Sequence, residues 1–123
     1  MKGFNFTARL KSFRYAFAGL AWLFRTQHNV WIHCAAAVMV VVACWYFQVT
    51  TTEWALLTLV IGGVFIAEAF NTAIEVLTDK VSPERNEQAR IVKDVAAGAV
   101  LLAAITAAVI GMIVLGPHVW VWL

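Results

Sequence analysis

The chain has 123 residues, 63% of them hydrophobic and only 13% charged, with a formal net charge of +2. A soluble domain carries roughly 25% charged residues, so this balance excludes an ordinary water-exposed fold and points to a membrane. Nothing in it suggests a nucleic-acid partner, and two cysteines are too few for a metal framework.

The chain opens on a basic amphipathic stretch. Phe6, Leu10, Phe13, Phe17, Leu20 and Phe24 recur at spacings of three and four, with Arg9, Lys11 and Arg14 on other faces. This pattern predicts a helix over 5–28 that lies on the membrane surface, packs on the bundle as a lid, or does both. Its cations suit anionic lipid headgroups. The stretch has no short apolar core leading to a small-residue cleavage site, so it does not read as a secretory signal.

Three apolar segments follow, at 31–49, 54–78 and 95–115. Each is long enough to span a bilayer, which takes about 20 residues. The third is expected to break near Gly116-Pro117, because proline cannot continue a regular helix. It is rich in small residues, Ala96, Ala97, Gly98, Ala99, Ala103, Ala104, Ala107, Ala108 and Gly111, which favour close helix approach. Cys34 and Cys44 lie about 15 Å apart along one helix, too far for a disulfide. Trp31, Trp45, Trp54, Trp120 and Trp122 fall near predicted span ends, where amphipathic rings prefer to sit. The chain shows no internal repeat or low-complexity linker and reads as one domain over 1–123.

The basic residues fall into two groups. Lys2, Arg9, Lys11, Arg14 and Arg25 precede the first span, and Lys80, Arg85, Arg90 and Lys93 lie between the second and third. The excess of basic residues on cytoplasmic loops places the N-terminus and the 79–94 loop in the cytoplasm and the C-terminus outside. Within that loop, Ser82-Pro83-Glu84 reads as a helix start: cap, first-turn proline and early acid.

The second span carries the chemistry. Glu68, Asn71, Glu75 and Asp79 are spaced by three, four and four residues. On a helix they share about 80° of arc. A charge at bilayer depth costs about 2.5 kcal/mol or more, so such groups face protein and mark function. No basic residue inside the span could pair with them. If Trp54 marks the outer interface, Glu68 lies about 21 Å in and Glu75 about 31 Å in, near the cytoplasmic headgroups. The stripe therefore runs from an aqueous surface into lipid. Carboxylates suit Mg²⁺, which is held by one or two of them together with substrate phosphates. Lys93, Arg85 and Arg90 lie on the same side and could meet phosphates, with Asp94 beside them, while no Gly-rich phosphate loop is present. Three spans make a thin bundle, so covering the stripe calls for a homo-oligomer.

Taken together, Glu68-x-x-Asn71-x-x-x-Glu75-x-x-x-Asp79 and the later Lys93-Asp94 resemble the small integral-membrane diacylglycerol kinase and undecaprenol kinase family of bacteria. Phe13-Arg-Tyr15-Ala-Phe-Ala-Gly19 and Arg25-Thr-Gln-His-Asn29-Val-Trp-Ile-His33 are similar too, and the likeness covers residues 11–115. The resemblance implies an all-α membrane protein: a surface helix and three spans, assembled as a homotrimer in the bacterial inner membrane. It also implies transfer of phosphate from MgATP to a lipid alcohol, diacylglycerol or undecaprenol. By position, Glu68 would receive the proton of the lipid hydroxyl and Asn71 would support it. Glu75 would bind Mg²⁺. Tyr15, Glu75, Asp79, Glu84, Arg85, Asn86, Lys93 and Asp94 would form the ATP site. Gln27 departs from the pattern, because the family has a glutamate there that shares the metal.

Plainer readings stand beside these. Asn71 could make an interhelical hydrogen bond, and Asp79 could be a solvated helix end. His28 and His33 are about 140° apart around a helix and do not share a face. A cation-coupled transporter would use the deep Glu68 but has no need for acids clustered at one membrane face. A non-catalytic membrane scaffold would carry the stripe at needless cost.

Overall fold

The computed structural model describes residues 3–123. Lys2, counted above among the basic residues, lies outside them. The described chain is all helical: α1 (Phe6–Thr26), α2 (His28–Phe47), α3 (Thr51–Val81) and α4 (Glu87–Trp120). Helices α2, α3 and α4 are long and apolar enough to cross a membrane.

Local chemistry explains the boundaries. The Asn5 side chain accepts from Ala8 N–H at 3.3 Å and caps α1. One extended residue, Gln27, separates α1 from α2, so the first span begins at His28. Gln48 ends α2 in the left-handed region with φ 51°, uncommon for a residue other than glycine. Thr50 and Glu53 then form a capping box for α3, each side chain accepting from the other's backbone N–H at 3.2 and 3.0 Å.

Two expected helix ends lie elsewhere. The helix expected to restart at Ser82-Pro83 starts at Glu87. Ser82 instead closes α3, its N–H donating to Thr78 O at 2.8 Å. Asn86 is the true cap of α4, with Ala89 N–H donating to its Oδ1 at 2.8 Å. The break expected at Gly116-Pro117 does not occur, and α4 continues to Trp120. A proline removes one backbone donor, but this one sits in the last turns, where Val121 N–H still reaches Pro117 O at 3.3 Å.

Helices α3 and α4 make the most extensive contact, and α2 packs more lightly on both. A small core of Cys44, Val49, Leu57 and Val114 closes the end near the α2–α3 turn. Eight apolar residues are buried among those described, while Ile66, Phe70, Leu77, Leu101 and Leu102 are exposed with many others. A water-soluble chain could not leave so much apolar surface uncovered. Gly98 and Gly111 of α4 are not at a close approach within the chain, since a Cβ there would meet nothing within 4 Å, whereas Ala96 is buried.

Candidate functional site

At the α3–α4 turn, a polar cavity of about 550 Å³ is lined by Asp79, Glu84, Arg85, Asn86, Lys93 and Asp94 together with Ser82, Pro83, Glu87 and Arg90. Six residues expected to touch nucleotide thus surround one space. Three of their charges, on Asp79, Lys93 and Asp94, are paired within the described chain, while Glu84 and Arg85 have no ion-pair partner among the described residues. Lys93 Nζ pairs with Asp79 Oδ1. Arg90 bridges Glu87 at 3.1 Å and Asp94 at 2.9 Å. These pairs are solvent-exposed and contribute little to stability, about 0–1 kcal/mol each. A phosphate could therefore exchange for a carboxylate at Lys93 or Arg90 at small cost. Asn86 also has a structural task, capping α4 through Oδ1 while its Nδ2 donates to Ser82 Oγ.

Glu75 lies one turn deeper along α3. It is half-buried, and its carboxylate has no hydrogen-bond or ion-pair partner among the described residues. Gln27 is half-buried at the α1–α2 break, where its Nε2 donates to Thr26 Oγ1 at 3.3 Å and its Oε1 has no partner among the described residues. Among the described residues, no three His, Cys, Asp or Glu side chains converge as a metal cluster. One free carboxylate and one free amide oxygen are hard donors. They suit a Mg²⁺ ion that keeps waters and takes its other ligands from substrate phosphates. The residues present therefore fit this ion. Tyr15, expected at the nucleotide, stands exposed on α1 and does not line the cavity.

Deeper still, Glu68 is 2% exposed and Asn71 8%. No basic residue of its own span pairs with Glu68, but α2 supplies a partner. His33 of α2 reaches across and lies 3.2 Å from Glu68 Oε2 through Nε2. With Glu68 ionised the carboxylate only accepts, and the imidazole Nε2–H is then the donor. Asn71 Oδ1 and Thr72 Oγ1 are buried with no partner in the described chain. Buried polar atoms are rarely left so, which leaves both open to a substrate group, a water or a second subunit.

The line of groups is thus ordered along one helix: polar cavity, free Glu75, then buried Glu68. Sequence reasoning did not single out His33 for this site. Its signal was present in the similar stretch Arg25 to His33. Nothing local tied it to a residue 35 positions away.

A family model described as prokaryotic diacylglycerol kinase matches residues 14–115, most of the chain. The chain belongs to this family. It is 36% identical over 107 residues to an undecaprenol kinase of Bacillus subtilis, with 87% of each chain covered. It is 44% identical over 109 residues to a diacylglycerol kinase of Synechocystis, covering 88% of this chain and 62% of that one. A diacylglycerol kinase of Escherichia coli is 35% identical over 120 residues, with 93% of each covered. The molecule is therefore a membrane lipid kinase, a phosphotransferase with an alcohol acceptor. This membership sets aside the transporter and scaffold readings. The sequence has no Gly-rich phosphate loop.

Proposed function

We propose that this lipid kinase transfers the γ-phosphoryl group of MgATP to the hydroxyl of diacylglycerol or undecaprenol at the cytoplasmic face of a bacterial inner membrane. The observation that carries the reading is the order of groups along α3. A polar cavity holding Lys93, Arg85 and Arg90 leads to the unpaired Glu75, then to Glu68 in apolar surroundings. A water-soluble phosphate donor meets the first group, and a lipid-borne hydroxyl meets the last.

Glu68 acts as general base. It takes the hydroxyl proton as the lipid oxygen bonds to the γ-phosphorus, and the bond from that phosphorus to the β,γ-bridging oxygen breaks, releasing ADP. Glu75, with the Gln27 amide oxygen, would hold Mg²⁺. That ion supplies charge neutralisation on the triphosphate. Asn71 supports the acceptor side through its free Oδ1. Asp79, Glu84, Asn86 and Asp94 hold the phosphate-facing cations and the ribose side of the cavity, and Tyr15 approaches the nucleotide from a neighbouring copy. A homotrimer with the site between subunits supplies the partners that the single chain leaves unmet at Asn71, Thr72 and Glu75. Helix α1 lies on the membrane surface with Phe13 and Phe17 toward lipid.

Purified protein with Mg²⁺ and γ-labelled ATP, given each lipid alcohol separately, tests the reading. Label should enter one acceptor strongly and identify it. An absence of label in every lipid alcohol would remove the proposal. The Gln27 position gives a second check. Gln27→Glu adds a carboxylate to the donor set and should lower the Mg²⁺ concentration for half-maximal rate about tenfold, as expected for one added close charge. An unchanged Mg²⁺ dependence would put Gln27 outside the metal site.

A further inference from the structure

We propose that His33 is a positioning residue for the reaction, holding the Glu68 carboxylate in the orientation that receives the acceptor proton. The proposal rests on the reading of Glu68 as general base. His33 Nε2 lies 3.2 Å from Glu68 Oε2, and Glu68 is almost completely buried. Among the described residues this is the only hydrogen bond made by the Glu68 carboxylate. A buried carboxylate with one donor on one oxygen has its plane fixed about that contact, leaving Oε1 for the substrate.

The imidazole is itself held. Phe65 of α3 meets it edge-on at 6.2 Å between centroids. Phe65 stacks on Phe24 at 6.3 Å, and Phe24 meets Trp31 edge-on at 5.9 Å. Trp31 Nε1 donates to Phe24 O at 2.7 Å. This aromatic chain ties the end of α1, the start of α2 and the middle of α3 to one histidine. Phe65 is the aromatic neighbour that restrains the ring on the α3 side. His33 also lines the apolar groove that runs between α2, α3 and α4, so the carboxylate's partner faces apolar space rather than bulk water. There a hydrogen bond is strong and an unpaired carboxylate is costly.

A merely structural histidine would change stability and leave turnover per folded enzyme alone. A positioning histidine changes kcat and leaves KM for MgATP alone. His33→Ala should lower kcat about 10- to 100-fold with KM for MgATP unchanged, the scale of a misplaced catalytic group. His33→Gln should recover most of the loss, because its amide N–H reaches the place of Nε2. Unchanged kcat in His33→Ala, or a loss in KM for MgATP alone, would overturn the proposal. So would a Gln variant as slow as Ala. Should His33→Ala not fold, ¹⁵N-histidine spectra of wild type and Glu68→Gln still decide. The Nε2 resonance of His33 should shift between them while those of His28 and His118 do not, and an unmoved His33 resonance would overturn the pairing. Glu68→Ala serves as the control on the underlying reading. If it is inactive while His33→Ala is normal, only the positioning role fails. If Glu68→Ala is fully active, the base assignment itself fails.

Discussion

Glu75→Gln should reduce turnover by about 10³-fold or more, the scale of losing a group that neutralises developing charge in a water-poor site. The substitution keeps the size and one acceptor oxygen, turns the other oxygen into an NH2 donor and removes the charge. Glu75 is half-buried and unpaired in the described chain, so the variant breaks no ion pair and leaves no orphaned partner. Folding should be intact, and helicity and detergent-solubilised size should match wild type. Excess Mg²⁺ should not restore the rate, because a neutral amide is a much poorer ligand for a hard cation. Full rescue by Mg²⁺ would mean that Glu75 tunes affinity only. Near-normal turnover without rescue would remove it from the site.

Glu68→Gln should lower kcat by about 10² to 10⁴-fold, the usual contribution of a general base, while KM for MgATP stays near wild type. The two carboxylates are thus separable by kinetics although they share a helix face. Glu75 lies one helical turn from Asp79, which lines the polar cavity, and on the proposed reading should affect the donor side. Glu68 is about 10 Å further along the helix and should affect the acceptor side. Stability offers a second distinction. Glu68 is buried against His33, so Gln there replaces an ionic acceptor with a neutral one and keeps the hydrogen bond. Glu68→Ala leaves the imidazole N–H without a partner and should cost about 1–3 kcal/mol in addition to activity. Thermal unfolding in detergent would register that difference. Equal melting of the Gln and Ala variants would indicate that the His33 contact contributes no stability.

Much of the helical plan was legible from periodicity and hydropathy. The apolar runs around residues 31–49, 54–78 and 95–115 correspond to α2, α3 and α4, each long enough to cross a bilayer. The helix ends were less legible where two residues competed for a cap. Ser82 and Asn86 both favour a helix start, and only the placement of Ala89 N–H against Asn86 Oδ1 decides between them. Pro117 carried a strong breaking signal, but a proline in the final turns removes a single hydrogen bond, and the surrounding ladder continues. Of the candidate site, the shared face of Glu68, Asn71, Glu75 and Asp79 follows from spacing alone, because helix geometry relates neighbours on one element.

What the sequence by itself determined is the membrane class of the chain, its apolar helices and the acidic stripe on the second span. These depend on composition and on repeat distances within one element, which any observer of the string can measure. What only the tertiary structure decided is which groups meet across elements. His33 against Glu68, Lys93 against Asp79, and His118 at 3.2 Å from Glu53 join helices that spacing cannot relate. The physical reason is that periodicity defines the face a residue occupies on its own helix. The azimuth and depth at which one helix packs on another come from the summed fit of many apolar side chains. The same distinction holds for the acidic stripe. Its existence is a property of α3, whereas the pairing of Glu68 depends on how the first turns of α2 pack against it.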